Sequence, residues 1–415
     1  MIVDHFVTQL KERGSGIARI NGPLHFYQAD HWHPIESDLL EQRLGEFSQR
    51  RGHRISDSRH FRFRLDLRSQ LESHCEPLQP SPGSVAINFR NGTLRVLEGK
   101  PTLTEHRIDD GFTYVLPFKY DPAARCPLFN QYLERVLPDK KCRQVVLEFL
   151  GWIFLRDLKL EKMLVLHGSG YNGKSVFFDV TRALLGEANV SSLSLSSLKT
   201  PEKRLPLLGK LLNYGSEIGG NLSPDIIKLA SSGEPLEFRR LYGDLFTSAD
   251  YARLAFNTNT LPTETEITEG FFRRFLIISF EQTIRDEEKD PELASKIIAA
   301  ELPGIMNLVM EGIERVRQQR KFSPCAKSDA CLAEYRHESD TVAQFLEDDE
   351  WYAHTTERTS KAELYQAYTD YCRESGFQAL AKKNFAARLK TEHRIGEAKS
   401  GGVRYWLIQQ EEKVS

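Results

Sequence analysis

The chain has 415 residues, of which 40% are hydrophobic and 27% charged, and its formal net charge at pH 7 is −2. This length favours two to three domains, and this composition lets each bury an ordinary core and excludes a disordered chain. The nearly neutral charge argues against bulk electrostatic binding to nucleic acid, although it leaves local basic patches open.

The cysteines and the apolar runs indicate an intracellular protein. Six cysteines are scattered without short paired spacings, which indicates neither a zinc finger nor a disulfide framework. No apolar run is expected to reach the length of a membrane span, and Met1–Gly14 lacks the apolar segment of a signal peptide. The sequence therefore predicts reduced thiols in a cytoplasmic protein that has no membrane partner.

Residues 1 to about 75 combine amphipathic helical patterns with a hairpin-like middle at residues 24–35. His25, His31 and His33 lie in this hairpin. The sequence offers them no acidic or cysteine partner at ligand spacing, so we predict surface or packing roles for them rather than a metal site.

A basic segment follows, in which seven arginines are interleaved with Phe61 and Phe63 and opposed only by Asp57 and Asp66. Arginine with aromatic residues suits a nucleic-acid backbone and unstacked bases. A solvated helix face explains the same pattern equally well. The arginines are Arg50, Arg51, Arg54, Arg59, Arg62, Arg64 and Arg68.

Residues 84–121 are typical of strands, because the Asn-Gly pair at 91–92 separates two β-like runs and residues 113–122 offer a closing strand. Residues 127–158 return to helical periodicity, and Pro138 separates two predicted helices. These helices are expected to form a collar that leads into the next region.

The next stretch has the order of a phosphate-binding loop. Residues 163–166 predict a buried strand, the glycines a turn, and Ser175 onward a helix. Gly168 and Gly173 bracket four residues before Lys174 and Ser175, which completes the spacing G-x-x-x-x-G-K-S in its strand-turn-helix context. The sequence therefore predicts nucleotide binding.

The backbone N–H groups of this loop would cradle phosphates, Lys174 would reach the terminal ones, and Ser175 Oγ would hold Mg²⁺. The predicted nucleotide-binding residues are Gly168, Ser169, Gly170, Tyr171, Asn172, Gly173, Lys174, Ser175 and Val176.

A second apolar strand that ends in an acid is predicted at residues 209–217. Glu217 is the candidate general base and Mg²⁺ ligand. Ser216 stands where many such enzymes have aspartate, which leaves direct carboxylate ligation of Mg²⁺ open. A glutamate on the surface at the end of a strand is the alternative.

Polar and charged residues lie at the ends of the next predicted strands. Arg239, Arg240 and Tyr242 would project from a hairpin or loop, and Asn259 ends an apolar strand where its amide can orient a water beside the γ-phosphate. Arg273 and Arg274 directly precede another apolar strand. They are surface charge, or they reach a neighbouring subunit's γ-phosphate.

Toward the C-terminus, residues 291–320 predict two helices broken at Pro303. Residues 360–376 and 380–394 predict helices, and residues 400–408 a β-wing, which together are typical of a winged helix that binds DNA or, alternatively, protein. The basic residues that could meet phosphate are Lys382, Lys383, Arg388 and Lys390.

The motifs GSGYNGKS, GKLLNYGSE, SSGEPLEFRRLYGD, AFNTNTLP and GFFRRFLIISF occur in this order. This series resembles motifs A, B, B′ and C and the arginine finger of superfamily 3 helicases in the phage and plasmid primase-helicase group, which is related to the poxvirus primase-helicase. Residues 108–122 and the helices that follow, and residues 340–408, also resemble the flanking regions of that group. No part of this sequence has the length or the acidic motif expected of a catalytic primase domain.

With this resemblance, the expected fold is α/β. It comprises an N-terminal α/β domain at 1–125, a helical collar at 126–158, a P-loop AAA+ ATPase core with its helical lid at 159–325 and a winged-helix-like domain at 338–410.

The resemblance also implies a mechanism. Members of the group form rings, usually hexamers, that bind ATP and Mg²⁺ between subunits and generally move 3′ to 5′ on single-stranded DNA, which they grip with a hairpin. Arg239, Arg240 and Tyr242, with Lys228 beside them, would form that grip on single-stranded and forked DNA. The expected protein is a cytoplasmic helicase of a phage, plasmid or satellite element, with a separate primase or other replication proteins as further partners. The alternatives are an ATP-switched origin-binding initiator or loader and a ring that binds ATP without turnover.

Overall fold

In the computed structural model, residues 2–78, 85–97, 100–216, 218, 223–240, 243–261 and 269–411 are described. The N-terminal region contains two three-stranded antiparallel sheets, in the orders β1-β2-β3 and β4-β5-β6, and a cluster of helices. Its elements are α1 (Ile2–Glu12), β1 (Gly16–Arg19), β2 (Leu24–Gln28), β3 (His31–Pro34), α2 (Ser37–Arg50), α3 (Ile55–Arg59), α4 (Phe61–His74), β4 (Val85–Phe89), β5 (Gly92–Leu97) and β6 (Lys100–Thr104).

Both predicted hairpins are present, but the prediction that residues 113–122 close the second sheet is wrong. That strand is β6, and residues 113–122 contribute only a single bridge, from Leu116 to Phe89. Pro117 follows the bridge and has no N–H to donate, so a ladder cannot continue there.

The middle of the chain alternates strands and helices. Its elements are α5 (Pro127–Val136), α6 (Lys140–Trp152), β7 (Met163–His167), α7 (Lys174–Leu185), β8 (Val190–Ser191), β9 (Leu212–Gly215), α8 (Pro224–Ser232), β10 (Leu236–Arg239), β11 (Leu245–Ser248), β12 (Arg253–Thr258), α9 (Glu269–Phe272), β13 (Phe275–Ser279), α10 (Leu293–Gln319) and α11 (Ala326–Glu338). As predicted, α5 and α6 are separate, and the Asp139 carboxylate caps α6 by accepting the backbone N–H groups of Lys141 at 2.6 Å and Cys142 at 3.2 Å.

A five-stranded parallel sheet forms the centre of the molecule, in the order β13-β7-β12-β9-β8. Successive side chains of a strand point to opposite faces, and both faces of this sheet are covered. In β7, Leu164 and Leu166 join the apolar core beside α6, α7 and α10, whereas Met163 and Val165 join the core beside α8 and α9. Since all five strands are parallel, their carboxyl ends lie along one edge, where the candidate site forms.

Helix α10 runs unbroken through Pro303, so the predicted break is wrong. An internal proline costs a helix roughly 3 kcal/mol. Here tertiary packing outweighs that cost, because α10 packs against α5, α6 and α7. Its backbone approaches so closely that a methyl group at Gly304 would lie 2.4 Å from the carbonyl oxygen of Arg125.

No apolar run was expected to reach the length of a membrane span, but the unbroken α10 does. Its 27 residues meet the length and composition of a membrane span, a test that core helices of other proteins also pass. Much of its apolar side, including Ile305, Met306 and Val309, is buried in the core described above.

A carboxylate from α10 caps α5. Glu301 is only 4% exposed, and its two oxygens accept the backbone N–H groups of Leu128 at 2.9 Å and Phe129 at 2.8 Å. These are orphan donors of the first turn of α5, and a negative charge is favoured at a helix N-terminus.

We expect Glu301→Gln to lower the free energy of unfolding by about 1–3 kcal/mol, because an amide offers one acceptor where two buried N–H groups need one each. Urea denaturation measures the change. Glu311→Gln, which removes an exposed carboxylate of the same helix that pairs with Arg315, is the matched control and should change stability by less than about 1 kcal/mol. Equal effects of the two variants would contradict the capping role.

The C-terminal region follows the order helix, strand, helix, helix, hairpin around its own core. The three-stranded sheet has the order β15-β17-β16, and Tyr368 stacks on Phe385 with ring centroids 4.5 Å apart. The elements are α12 (Thr341–Asp348), β14 (Trp351–Ala353), β15 (Thr359–Ser360), α13 (Lys361–Glu374), α14 (Lys382–Thr391), β16 (Glu397–Ser400), β17 (Val403–Trp406) and β18 (Ile408–Gln410). Both predicted helices and the hairpin are present.

Candidate active site

The glycine-rich loop lies between β7 and α7, at the carboxyl edge of the central sheet. Gly168 and Gly173 have φ angles of +152° and +88°, which side chains rarely adopt. A methyl group at Gly168 would lie 2.4 Å from the carbonyl oxygen of Phe280, and one at Gly173 would lie 2.7 Å from a methyl carbon of Val136. The two glycines therefore let the backbone turn tightly against its neighbours.

Asn172 fixes the loop from inside. Its side chain is 4% exposed, and its Nδ2 donates to the carbonyl oxygens of Phe280, at 3.0 Å, and Ser169. By contrast, Tyr171 points outward and is 74% exposed. The Lys289 ammonium lies 4.0 Å from its ring centroid. The sequence placed both residues in the loop but did not distinguish these roles.

Lys174 is the centre of the candidate site. Its side chain is 7% exposed, and its ammonium donates to the Gly168 carbonyl and, at 3.3 Å, to Asn259 Oδ1. Among the residues that the structure describes, no carboxylate lies within ion-pair distance of this ammonium. Burial lowers the pKa of Lys174. A buried cation with only neutral partners is suited to a polyanion such as a triphosphate.

The neighbouring predicted residues lie at the same edge. Ser175 is exposed in the first turn of α7, where backbone N–H groups have no helical partner and favour anions. Val176 follows it, and Gly170 lies at the exposed bend of the loop. Asn259 comes directly after β12, which pairs in parallel with β7, and this pairing explains why its amide reaches Lys174.

The apolar strand predicted within residues 209–217 is present as β9. Ser216 follows it and is exposed, whereas Glu217 lies outside the described residues. The buried Tyr214 hydroxyl donates to Asn257 Oδ1 at 3.0 Å, which joins the ends of β9 and β12. Sequence periodicity gave no signal for this bond.

Tyr132 was also missed by the sequence analysis. It belongs to α5, is buried against the loop, and donates its hydroxyl hydrogen to the Gly173 carbonyl at 2.9 Å. The helices before the central sheet thus hold the loop directly, and a contact across 41 residues leaves no local signature in the sequence.

We expect Tyr132→Phe to weaken the binding of a triphosphate such as ATP about two- to tenfold, because the Gly173 carbonyl loses one of its two donors and the loop becomes less well fixed. Isothermal titration calorimetry measures the change. Tyr365→Phe, which removes a comparable bond to the Leu380 carbonyl at 3.0 Å in the C-terminal region, is the control. ATP affinity that is equal in the two variants and the parent would contradict this role.

Arg273 and Arg274 lie at the opposite edge of the sheet, immediately before β13. The strand places them about 16 Å from the edge that carries the loop, since five residues rise ~3.3 Å each. The side chain of Arg274 is buried and its Nη1 lies 2.5 Å from Glu161 Oε2. The side chain of Arg273 is 59% exposed, and its Nη2 lies 3.4 Å from the same oxygen. Neither arginine reaches the loop of its own chain.

The predicted DNA-contacting hairpin is formed by β10 and β11. Arg239 and Arg240 are exposed at its end, whereas Tyr242 lies outside the described residues. Arg239 Nη1 lies 3.7 Å from Glu202, and the Arg240 guanidinium lies 5.9 Å from the Phe246 ring centroid. Lys228, on α8, lies 3.7 Å from Asp225.

Two groups of potential metal ligands come together, contrary to expectation. His31 Nδ1 lies 2.7 Å from Asp30 Oδ1, and the His33 ring centroid lies 3.8 Å from that of His31, because the turn between β2 and β3 brings Asp30 beside them. The Sγ atoms of Cys142 and Cys325 lie 3.3 Å apart, with Asp139 nearby, although 183 residues separate the cysteines.

Three family profiles match successive parts of the chain. Residues 31–138 match "D5 N terminal like", residues 166–274 match "Family of unknown function (DUF5906)", and residues 337–400 match "Poxvirus D5 protein-like". The middle match begins at the end of β7 and ends at Arg274, so it spans the loop, Asn259 and both arginines.

A viral protein is also similar in sequence to this chain. A protein of Acanthamoeba polyphaga mimivirus that is named as a helicase is 22% identical over 291 residues, which cover 63% of this chain and 30% of the mimivirus protein. The matched part is therefore less than a third of the length of that relative.

Two solved apo structures of the NrS-1 C-terminal region have the same fold. They are 13% and 12% identical to this chain, cover 97% of it with 98% of their own length, and have TM-scores of 0.56 and 0.54. With the D5-type matches at both ends and the mimivirus relative, the chain is similar to primase-helicases of the phage and viral type.

Proposed function

We propose that the chain is the ATP-hydrolysing DNA helicase portion of a replication protein of a phage, plasmid or satellite element. The observation that carries this proposal is the buried Lys174 ammonium, which lies beside Asn259 at the carboxyl edge of a parallel sheet and has no carboxylate partner among the described residues. The order of the strands along the sheet, fifth-first-fourth-third-second, supports a P-loop ATPase core of the AAA+ class.

The residues of the site have distinct proposed roles. Lys174 and the backbone N–H groups from Gly168 to Val176 bind the phosphates of ATP, and Ser175 holds Mg²⁺. Asn259 orients the attacking water, and Glu217 accepts its proton and ligates Mg²⁺. The bound Mg²⁺ would supply electrostatic stabilisation of the phosphates.

Arg273 is the proposed arginine finger. It is exposed, whereas Arg274 is buried and its ion pair with Glu161 gives it a structural role. Since Arg273 lies at the edge opposite its own loop, it would act on ATP bound to a neighbouring subunit. This arrangement requires an oligomer. We propose that the oligomer is a hexameric ring and that the protein belongs to superfamily 3.

Single-stranded and forked DNA would be gripped by Arg239, Arg240 and Tyr242 at the β10–β11 hairpin, with Lys228 beside it. Translocation 3′ to 5′ is the expected direction. The proposed protein acts in the cytoplasm of a bacterial host, without a membrane partner, and a separate primase is a candidate partner.

A second function is favoured by the C-terminal region. Its order of helix, strand, helix, helix and hairpin is typical of winged helices, which supports an origin-binding initiator or loader as the alternative. Lys382, Lys383 and Lys390 are its candidate phosphate contacts. Arg388 is less suited to this role than predicted, because its Nη1 lies 3.4 Å from Asp340 in the interior of this region.

ATP hydrolysis with and without single-stranded DNA, combined with sedimentation velocity, tests the proposal. We expect DNA-stimulated hydrolysis by a ring-sized species. A folded protein that neither binds nor hydrolyses ATP would contradict the proposal, and hydrolysis without strand separation would favour the initiator or loader.

A further inference from the structure

The seven arginines of the basic segment divide into two structural groups. Two of them hold the helices together: Arg64 Nε donates to the Ser58 carbonyl at 2.8 Å, and Arg68 Nη1 lies 2.9 Å from Glu41. The other five are exposed, and we call them the arginine face. The arginine face consists of Arg50, Arg51, Arg54, Arg59 and Arg62.

The charge of the arginine face is not neutralised locally. Within the described part of the chain, no carboxylate lies within ion-pair distance of any of its five guanidinium groups. Asp57 and Asp66 lie in the same stretch of chain, but within the described residues neither carboxylate forms an ion pair with these guanidinium groups. Five cations without an ion pair, spread from the end of α2 across α3 to the start of α4, are a suitable surface for a chain of phosphates.

An exposed aromatic platform lies within the arginine face. Phe61 is 65% exposed, so its ring is accessible to a ligand. Its ring stacks on His60 with centroids 5.3 Å apart at 26°, and the Arg62 guanidinium lies 5.7 Å from the Phe61 centroid. Such a platform binds unstacked bases, which a duplex or a lipid headgroup does not offer.

The helices under the arginine face form a rigid support. Leu44 of α2 and Leu67 and Leu71 of α4 are buried together. A methyl group at Gly45 would lie 2.6 Å from the Ser58 carbonyl oxygen, so α2 and the end of α3 are in close contact. The five guanidinium groups and Phe61 are therefore presented by an ordered surface.

We propose that the arginine face, with Phe61, binds single-stranded DNA as a second contact besides the β10–β11 hairpin. This inference rests on the proposed helicase function, for which it supplies a place to hold one strand of the fork. The phosphates meet the guanidinium groups, and a base stacks on Phe61. The guanidinium groups then determine the salt dependence of binding, and Phe61 determines the preference for unpaired strands. The two properties can be tested by separate substitutions.

The experiment uses the full chain without nucleotide and measures fluorescence anisotropy of a labelled oligothymidine over a range of salt concentrations. The test variant carries Arg51→Gln, Arg54→Gln, Arg59→Gln and Arg62→Gln, and a second variant carries Phe61→Ala alone. The control removes the same number of exposed charges elsewhere, through Lys11→Gln, Arg13→Gln, Lys119→Gln and Lys140→Gln. Circular dichroism checks that each variant is folded.

We expect the test variant to bind at least about tenfold more weakly than the control, with a salt slope shallower by about 0.7 for each phosphate that the variant no longer neutralises. Phe61→Ala should weaken single-strand binding about fivefold or more and leave the binding of a duplex of equal length unchanged. Equal affinities of the test and control variants would overturn the proposal. Equal reductions in affinity for duplex and single strand, with no effect of Phe61→Ala, would overturn the assignment to single strands.

The proposed function can fail independently of this inference. Hydrolysis of ATP without DNA is measured on the same preparations, and the test variant should retain it because the arginine face lies outside the candidate active site. Absence of hydrolysis in the parent chain would count against the helicase, while the DNA-binding comparison would still decide the role of the arginine face.

Discussion

We expect Arg273→Ala to lower ATP hydrolysis by the assembled protein by about 10³-fold or more, the effect of removing an arginine finger. The side chain is exposed at the edge of the sheet opposite its own Lys174, so its proposed target is a phosphate bound to a neighbouring subunit. Affinity for ATP in the monomer should change little. Steady-state hydrolysis at a protein concentration that sustains assembly measures the effect.

Mixing experiments separate a finger that acts across subunits from one that acts within a subunit. An Arg273→Ala subunit keeps Lys174, and a Lys174→Ala subunit keeps Arg273, so some interfaces of a mixed ring contain both residues. Hydrolysis should therefore partly return on mixing. Arg317→Ala, which removes an exposed arginine paired with Glu314 in its own helix, is the control and should retain full activity. No return of activity in rings whose mixing has been verified would contradict action between subunits.

Lys174→Ala should reduce ATP hydrolysis by at least about 100-fold, because the variant lacks the buried cation that we propose stabilises the developing charge. The fold should persist, since among the described residues the ammonium bonds only the Gly168 carbonyl and Asn259. The purified variant should give an unchanged circular dichroism spectrum and greatly reduced turnover.

Lys289→Ala is the matched control for this variant. Its ammonium lies against the Tyr171 ring at the outer side of the same loop, so it tests whether any nearby lysine has the same effect. We expect less than about threefold change in hydrolysis, the size of a weak exposed interaction. Similar reductions in the two lysine variants would remove the special role of Lys174.

The sequence predicted the loop well because local chemistry determines it. Gly168 and Gly173 occupy backbone conformations that other residues avoid, and the apolar strand and the helix flank them directly. The contact between Lys174 and Asn259 was also foreseeable, since Asn259 ends one predicted strand and Lys174 follows the loop at the carboxyl end of another.

Long-range packing accounts for the features that the sequence did not reveal. Pro303 disfavours a helix locally, yet α10 continues because it is buried against three other helices. Tyr132, Glu301 and Asp30 acquire their roles from partners that periodicity does not reveal. The difference between Arg273 and Arg274 likewise depends on the position of Glu161, which follows from the register between β7 and β13.

Strand displacement on forked DNA tests the helicase most directly. One fork carries only a free 3′ tail and the other only a free 5′ tail, and each is incubated with ATP and Mg²⁺ and either the parent chain or Lys174→Ala. We expect unwinding by the parent chain on the fork with the 3′ tail, and none by Lys174→Ala. ATP hydrolysis without unwinding of either fork would contradict the helicase function.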